Sequence, residues 1–199
     1  MTLAFDNAYE GVPSWETGRL QPVVERLLAR GAITGTVLDA GCGTGRAAVR
    51  VAADGHEVVG LDVAERAVAL ATQGAAAVGA TATFVVGDAL ALGTATGVVA
   101  GPFDTVLDVG LFHVLQPADR LRYAASLAAV VRPGGTALVV AWSDRNPFGY
   151  GPQRVTRPAI RAAFGRATGW HVEAIEDEQL ESRLATGVVH AWLATIRRR

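Results

Sequence analysis

A glycine-rich stretch early in the chain combines a carboxylate with a bare backbone. The stretch VLDAGCGTG, residues Val37–Gly45, places Asp39 inside an apolar run and then has three glycines in five positions. A turn without side chains lets a ligand lie directly against the backbone where a strand ends. A carboxylate two residues before that turn favours a ligand with a cationic group, because opposite charges attract.

Further acids end the apolar runs that follow. Asp62 closes VVGLD, Asp88 lies in VVGDA, and Asp108 lies near the end of FDTVLDVG. Carboxylates accept hydrogen bonds from hydroxyl and amino groups. Asp39, Asp62 and Asp88, at the carboxyl ends of successive strands, therefore predict a cationic, hydroxyl-rich ligand that carries adenine and no phosphate. For each acid the alternative is a helix cap or a solvated turn carboxylate.

A dinucleotide is the alternative ligand for the glycine-rich turn. Residues Gly43 to Ala48 fit the pattern G-x-G-x-x-A, and Asp62 follows about 20 residues later. However, Asp39 would repel a pyrophosphate, and the dinucleotide pattern does not require Asp88. A nicotinamide enzyme therefore rests on the partial glycine match alone.

The rest of the sequence alternates strand-like and helix-like runs. Five short apolar runs, bounded by glycine or proline, are typical of strands buried on both faces: TVLDAG, HEVVGLD, ATFVVGD, FDTVLDVG and GTALVVAW. One intervening helix is predicted to begin at Pro117 and end at Gly134. The runs HVEAIEDEQL and VVHAWLATIRR predict a hairpin. We therefore expect an α/β, Rossmann-like doubly wound sheet, mostly parallel with an antiparallel C-terminal strand.

The composition narrows the class of protein. The chain has 199 residues, 50% hydrophobic and 19% charged, which suits one core. Its 18 basic and 19 acidic residues indicate no nucleic-acid partner, and its apolar runs are too short for a membrane helix. The sequence MTLAFDNAYEG does not resemble a signal peptide, so we expect a cytoplasmic protein. One cysteine, Cys42, and four scattered histidines predict no metal site, and Cys42 is better explained by packing than as a nucleophile.

The ordered motifs resemble a known family. VLDAGCGTG, VVGLD, VVGDA, FDTVLDVG and VVRPGG, across roughly residues 36–142, are similar in order and spacing to the motifs of class I S-adenosylmethionine-dependent methyltransferases. The resemblance implies a seven-stranded sheet with a reversed last strand. It also implies S-adenosyl-L-methionine as cofactor and S-adenosyl-L-homocysteine as product.

The same resemblance assigns roles to the acids. Asp39 would lie near the amino group of the cofactor, and Asp62 would accept hydrogen bonds from the ribose hydroxyls. Asp88 would accept from the adenine amino group, and Asp108 would lie beside the methionine portion or the transferred methyl group. The other implied cofactor contacts are Gly41, Cys42, Gly43, Gly45, Val63, Gly87, Ala89 and Val109.

The segment before the helix-like run VVERLLARG carries a second resemblance. Residues Pro13–Pro22, PSWETGRLQP, are similar to the pattern P-W-[DE]-x-G-R-x-x-P of halide and thiol methyltransferases, with Ser14 inserted. In that family and the related thiopurine S-methyltransferases, this segment closes over the cofactor and borders the acceptor pocket. The resemblance implies that Trp15 contacts cofactor and acceptor, and that Arg19 orients the lid or the cofactor carboxylate. The alternative is that Trp15 only packs the first helix onto the sheet.

A loop after the fifth strand resembles the acceptor loop of the same family. This loop, NPFGYGPQRVT, is rich in glycine and proline. The resemblance implies that Phe148, Tyr150 and Arg154 face the methyl acceptor. We also predict acceptor contacts from Phe112, His113 and Trp142.

A sulfonium methyl donor requires little of catalytic side chains. The protein must align the nucleophile, the methyl carbon and the sulfur, and exclude water. A thiol is intrinsically nucleophilic, so a base is optional. Asp108 and His113 are the candidate catalytic residues, and His113 is the candidate proton acceptor. The alternative for His113 is a packed histidine at a strand end.

These features predict a methyltransferase that acts on a small soft nucleophile: a thiol, sulfide or halide. The alternatives are an O- or N-methyltransferase of a small phenol or quinol, and a module that binds S-adenosylmethionine without transferring its methyl group. We expect one domain over residues 1–199, with a lid and helix in 1–34, a cofactor-binding core in 35–142, and an acceptor loop and hairpin in 143–199. We expect a monomer or weak homodimer.

Overall fold

The computed structural model describes residues 2–149, 151–184 and 187–199, which form a sheet covered by helices. The strands are β1 Val37–Ala40, β2 Val58–Asp62, β3 Thr83–Val86, β4 Phe103–Val109, β5 Val131–Trp142, β6 Trp170–Glu181 and β7 Val188–Arg198. The helices are α1 Thr2–Ala8, α2 Pro22–Ala29, α3 Arg46–Ala53, α4 Glu65–Val78, α5 Pro117–Val130 and α6 Arg157–Ala163.

The seven strands follow the order β3-β2-β1-β4-β5-β7-β6. Strands β1 to β5 are parallel, and β7 runs antiparallel between β5 and β6. This arrangement confirms the predicted Rossmann-like sheet and its terminal hairpin. The strand order reverses between β1 and β4, and such a switch point opens a crevice at the carboxyl ends of the strands.

Helices pack on both faces of the sheet because its inner strands carry apolar side chains on both faces. Val37 joins a core with α2 and α3, whereas its neighbour Leu38 joins a core with α5 and α6. Successive side chains of a strand point to opposite faces, so one apolar run supplies both cores. The edge strand β3 is different: Val86 is exposed, and the prediction of burial on both faces is wrong there.

Helix α5 ends earlier than the sequence pattern predicts. It stops at Val130, so the predicted end at Gly134 is wrong. The next residue, Val131, already belongs to β5 and pairs with Phe103 of β4. Pro133 explains the early stop, because proline cannot continue a helix and disfavours helical geometry in the residue before it. The sequence analysis did not predict α1 or α6. Within the described ranges, the structure contains no helix of sufficient length and apolar character to span a membrane.

Candidate active site

A cavity of about 500 Å³ lies along the carboxyl edge of the parallel strands. The ends of β1 to β4 form one part of its wall, and Trp142, the hairpin between β6 and β7 and the N-terminal segment form the rest. Small-molecule sites have cavities of about 300 to 1,000 Å³. The predicted site residues that line it are Trp15, Arg19, Asp39, Gly41, Cys42, Gly43, Asp62, Val63, Gly87, Asp88, Ala89, Val109, His113 and Trp142.

The glycine-rich turn presents bare backbone to this cavity. Gly41 and Gly43 have φ angles of 74° and 52°, in the left-handed region that favours glycine. A Cβ atom at Gly43 would lie 3.1 Å from the hydroxyl of Tyr9, the residue that directly follows α1. Gly45 has another role: it precedes α3, and a Cβ there would lie 2.7 Å from the Phe84 ring. Gly45 is not among the residues that line the cavity, so we correct the predicted cofactor contact there: Gly45 packs against Phe84 of β3.

Asp39 lies at the base of the turn and is almost fully buried. Its Oδ2 accepts a hydrogen bond from the Ala48 main-chain N–H at 3.1 Å. Burial, followed by the negative charges of Asp108 and Asp62, raises the pKa of Asp39 to about 7. A cationic group beside this carboxyl would favour its ionised form, as the prediction of a nearby ammonium requires.

Asp62, at the end of β2, holds two turns together. Its Oδ2 accepts from the Gly43 N–H and its Oδ1 from the Ala64 N–H, each at 2.9 Å. Burial raises the pKa of Asp62. Each carboxylate oxygen has a second lone pair, so hydroxyl groups of a ligand can still donate to it.

Asp88 follows β3 and lines the cavity from an exposed position. Its Oδ1 accepts from the Leu90 N–H at 2.8 Å, which is the turn role that the sequence left as an alternative. Gly87 and Ala89 line the same part of the wall. The geometry is thus compatible with both the turn role and the predicted contact with a ligand amino group.

Asp108 lies in the core instead of facing the cavity. Its Oδ1 accepts from the Leu111 and Phe112 N–H groups, and its Oδ2 accepts from the Tyr123 hydroxyl at 2.8 Å. Burial raises the pKa of Asp108 to about 6. Because the side chain is fully buried and its oxygens are engaged, we correct its predicted place beside the transferred methyl group. Asp108 shapes the turn after β4, while the adjacent Val109 lines the cavity.

His113 lies on this turn and lines the cavity, although only 8% of its surface is exposed. Its Nδ1 accepts a hydrogen bond from the Trp142 main-chain N–H at 3.0 Å. Burial and the positive charge of Arg120 lower the pKa of His113 to about 3. This geometry argues against the predicted proton acceptor, because one ring nitrogen is engaged and protonation of the buried ring is unfavourable.

The predicted acceptor contact Phe112 is wrong in position. Phe112 is fully buried in the core, with its ring centroid 5.5 Å from that of Phe164. His113, its chain neighbour, is the residue that the turn directs to the cavity.

The N-terminal segment covers one side of the cavity with aromatic rings. The Trp15 ring is 48% exposed and packs edge-on against Phe5 and Tyr9, with ring centroids 6.0 and 6.2 Å away. The Trp15 Nε1–H donates to the Tyr9 hydroxyl at 3.1 Å. Burial raises the pKa of Tyr9 to about 12, so its phenol stays neutral. The sequence analysis missed Phe5 and Tyr9, since nothing in the run LAFDNAY marks it as part of a site.

Two side chains attach this segment to the rest of the site. Glu16 accepts hydrogen bonds from the Thr44 hydroxyl and from the Arg46 side chain. Arg19 pairs with Glu181, with 2.7 Å between Nε and Oε2. Its contact supports a lid-orienting role more directly than a contact with the cofactor carboxylate.

The loop after β5 departs from the prediction. The Phe148 side chain is 86% exposed and lies outside the cavity wall, and Tyr150 lies outside the described residues. The Arg154 guanidinium donates to main-chain carbonyls of Asn146, Pro147 and Pro152 and lies 5.2 Å from the Trp142 ring centroid. Arg154 therefore orders the loop behind Trp142, and neither it nor Phe148 has the predicted position facing the acceptor.

The hairpin supplies cavity residues that the sequence analysis missed. Leu180, Leu184 and Val189 line the wall together with Trp142. They are apolar residues near a hairpin turn, a pattern that by itself does not distinguish a binding wall from packing. The cavity thus has a polar end at β3, β2 and β1, whereas at β5, β7 and β6 apolar side chains lie beside the Arg19–Glu181 ion pair. We call the latter the apolar end.

These residues fit S-adenosylmethionine. Gly41 and Gly43 bring bare backbone to the cavity wall, and Asp39 and Asp62 can face a cationic and hydroxyl-bearing ligand.

Comparison with known proteins identifies the family. Residues 37–135 match the family described as Methyltransferase domain. The chain is 34% identical over 188 residues to the 2-heptyl-1-hydroxyquinolin-4(1H)-one methyltransferase of Mycobacteroides abscessus, covering 88% of this chain and 80% of that protein. It is 28% identical over 147 residues to the probable thiol methyltransferase 2 of Arabidopsis thaliana, covering 73% of this chain and 64% of that protein.

A similar solved structure covers the whole chain. It is described as "Conversion of a Disulfide Bond into a Thioacetal Group during Echinomycin Biosynthesis", with a TM-score of 0.87 and 33% identity, over 100% of this chain and 91% of that one. The fold, the cavity and these relatives agree with the ordered motifs of the sequence. The chain belongs to the class I S-adenosylmethionine-dependent methyltransferases.

Proposed function

We propose that this enzyme transfers the methyl group of S-adenosylmethionine to a sulfur atom of a small apolar molecule, which reacts as its thiolate. The apolar end of the cavity supports an organic acceptor, because Trp142, Leu180, Leu184 and Val189 would cover its carbon atoms. Such burial contributes roughly 25 cal/mol per Å² of apolar surface. Sulfide and halide ions suit the chemistry but have little apolar surface to bury.

The state of His113 is the observation that carries this proposal. Its Nδ1 is engaged by the Trp142 N–H, so the ring offers the acceptor an N–H and not a lone pair. A phenol, with a pKa of about 10, needs a positioned base at neutral pH. A thiol, with a pKa of about 8.5, is already partly ionised and strongly nucleophilic.

Two acids of the cavity, Glu181 and Asp39, are poorly suited to replace this base. Glu181 is paired with Arg19, and Asp39 accepts from the Ala48 N–H at the polar end. In this proposal Asp39, Asp62 and Asp88 hold the cofactor together with the glycine-rich turn, and Trp15 and Trp142 border the acceptor. The bound cofactor supplies an activated methyl group, and the protein aligns the acceptor and excludes water.

The names of two relatives point to sulfur. One is a probable thiol methyltransferase, and the solved structure concerns the conversion of a disulfide into a thioacetal. Either acceptor would present a soft sulfur atom without a strong base.

An oxygen acceptor on a heteroaromatic ring is the second candidate. The hydroxyquinolinone methyltransferase has 34% identity to this chain. The indole of Trp142 in the cavity wall suits a flat aromatic ring. An acidic hydroxyl on such a ring would also react without a strong base.

A screen with paired acceptors tests the proposal. The enzyme is incubated with S-adenosylmethionine and thiophenol or phenol, a long-chain alkanethiol or the matching alcohol, sulfide, iodide, and a 1-hydroxyquinolin-4-one. Mass spectrometry of the methylated product and of S-adenosylhomocysteine measures turnover. We expect each organic thiol to react faster than its oxygen partner and than sulfide or iodide. Methylation of the quinolinone with inert thiols would replace the proposal by the second candidate, and methylation of phenol alone would contradict both.

A further inference from the structure

The imidazole of His113 is fixed by a main-chain group. Trp142 is the last residue of β5 and lies beyond Val140, the last residue of β5 that pairs with β4. Its main-chain N–H donates to His113 Nδ1 at 3.0 Å. A buried N–H requires a partner, so this hydrogen bond stabilises the sheet end. Because Nδ1 is the acceptor, the ring proton of neutral His113 resides on Nε2.

The surroundings keep the ring neutral. Arg120 of α5 faces it with a positive charge, the Trp142 indole packs against it with ring centroids 6.3 Å apart, and Asp108 is turned away toward Tyr123. The Arg120 guanidinium is buried, donates to the Gln153 side chain at 3.3 Å, and has no paired carboxylate among the residues that the structure describes. This region of the protein therefore has an uncompensated positive charge.

The Nε2 side of the ring is open to a ligand. In residues 2–149, 151–184 and 187–199, Nε2 has no hydrogen-bond partner, and His113 lines the cavity. Gly110 leaves this side uncovered, since a Cβ at Gly110 would lie 3.4 Å from Cε1 and 3.8 Å from Nε2.

We propose that His113 is a fixed hydrogen-bond donor whose Nε2–H binds the attacking atom of the methyl acceptor in its anionic form. The inference rests on the proposed function for the identity of that atom as sulfur. The acceptor loses its proton to water before the transfer. A lone pair of the anionic sulfur then forms the bond to the methyl carbon, and the pair of the broken carbon–sulfur bond returns to the sulfonium sulfur, which becomes neutral. His113 neither gains nor loses a proton in this step, and the positive charge of Arg120 further favours the anion.

A coloured acceptor tests the donor role without requiring turnover. The probe is 4-nitrothiophenol, whose anion absorbs visible light, bound to the enzyme with S-adenosylhomocysteine. The variant His113→Asn keeps an oxygen that can accept from the Trp142 N–H but has no group at the Nε2 position. The variant His113→Gln places an amide there, and His171→Asn, on the exposed surface of β6, is the matched control.

We expect the pKa of the bound probe to be lower in the wild-type complex than in His113→Asn by about one unit, a tenfold change in the ionisation constant. The probe pKa in His113→Gln should lie between the values of the wild type and His113→Asn. His171→Asn should have the wild-type value. If His113 were a general base, the rate of methyl transfer in His113→Asn would depend on the state of the acceptor. The loss of rate would be largest with a protonated acceptor and smallest with a fully ionised one. Equal probe pKa values in wild type and His113→Asn would overturn the proposal.

Nitrogen NMR of labelled His113 separates this inference from the proposed function. We expect a protonated Nε2 and an unprotonated Nδ1 from about pH 5 to pH 8. If this pattern holds and the probe pKa is shifted but thiols are not methylated, the sulfur acceptor is wrong and the donor role stands for another anion. If thiols react while Nδ1 carries the proton, the donor role is wrong and the proposed function stands.

Discussion

The Thr44 hydroxyl donates a hydrogen bond to the carboxylate of Glu16, which attaches the N-terminal segment to the glycine-rich turn. Arg46, at the start of α3, also donates to Glu16, at 3.1 Å. Burial acts to raise the pKa of Glu16, but the hydrogen bonds from Thr44, the Gly18 N–H and Arg46 outweigh it, so the pKa lies below its usual value. The ionised Glu16 carboxylate therefore joins the N-terminal segment over the cavity to the glycine-rich turn and to α3.

Removal of this connection should weaken cofactor binding. We expect Glu16→Ala to lower the affinity for S-adenosylhomocysteine several-fold, because hydrogen bonds to a charged group are lost and the segment over the turn is released. Calorimetric titration measures the affinity, and limited proteolysis of the first 20 or so residues reports the release. Glu10→Ala is the control, since Glu10 is exposed and pairs with Arg66 away from the turn. Unchanged affinity in Glu16→Ala would contradict this role.

Trp15 should affect turnover more than stability. Because about half of its surface is exposed, its removal deletes few core contacts but opens the cover of the cavity. We expect Trp15→Ala to lower kcat/KM at least tenfold with a small change in Tm. Phe148→Ala, at a largely exposed side chain outside the cavity, should leave both unchanged. If Trp15→Ala unfolds the protein, Trp15 serves packing alone.

Asp62 should determine cofactor affinity. Asp62→Ala removes a charged acceptor for two predicted ribose hydroxyls, and we expect at least a tenfold weaker affinity for S-adenosylmethionine. Because Asp62 also holds the Gly43 and Ala64 N–H groups, circular dichroism is needed to establish that the variant is folded. Asp54→Ala, at an exposed acid after α3, is the control. Tight binding by Asp62→Ala, or displacement of the cofactor by NADH, would show that the assigned ligand contacts are wrong.

Asp39 should make the free enzyme less stable as the pH rises. Its pKa is about 7 in the folded protein and 3.8 without its environment, so between these values the folded state binds a proton that the unfolded state has lost. The free energy of unfolding therefore falls as the pH rises to about 7. Asp39→Asn cannot lose this proton, so its Tm relative to wild type should be higher at pH 8 than at pH 5. Thermal scans at both pH values measure the difference, and an equal difference would show that the pKa of Asp39 is not raised.

The same carboxyl should couple cofactor binding to proton release. A bound ammonium group favours the ionised form of Asp39, so binding at about pH 6 should release protons. Calorimetry in buffers of different ionisation enthalpy measures the number of protons released per cofactor bound. Asp39→Asn should abolish the release.

The sequence predicted the fold and the polar end of the cavity because their signals are local. Apolar runs with glycine or proline at their ends determine strands, and the acids that follow them meet at one edge of a parallel sheet. Asp39, Asp62 and Asp88 therefore line the cavity as their positions in the chain suggest. The antiparallel hairpin was likewise readable from two strand-like runs, HVEAIEDEQL and VVHAWLATIRR, with a short connection.

The predictions for the acceptor end depended on the orientation of single side chains, which sequence does not reveal. Neighbouring residues of β4 point to opposite sides, so Val109 reaches the cavity and Asp108 reaches Tyr123. On the turn that follows, Phe112 is fully buried, whereas its neighbour His113 lines the cavity. Leu180 and Val189 were missed because they join the site only through pairing of the hairpin with β5.

The side-chain amide of Gln21 has a consequence for the outer border of the sheet. Its Nε2 donates to the Glu181 carbonyl and its Oε1 accepts from the Glu181 N–H, each at 2.9 Å, as a neighbouring strand would. Arg26 of α2 and Arg30, which directly follows α2, pair with the Glu178 and Glu176 side chains of β6. An uncovered edge strand is a template for pairing with another chain. Gln21 occupies the main-chain groups of Glu181, and the two arginines lie over side chains of β6, so both oppose pairing of this edge with another chain.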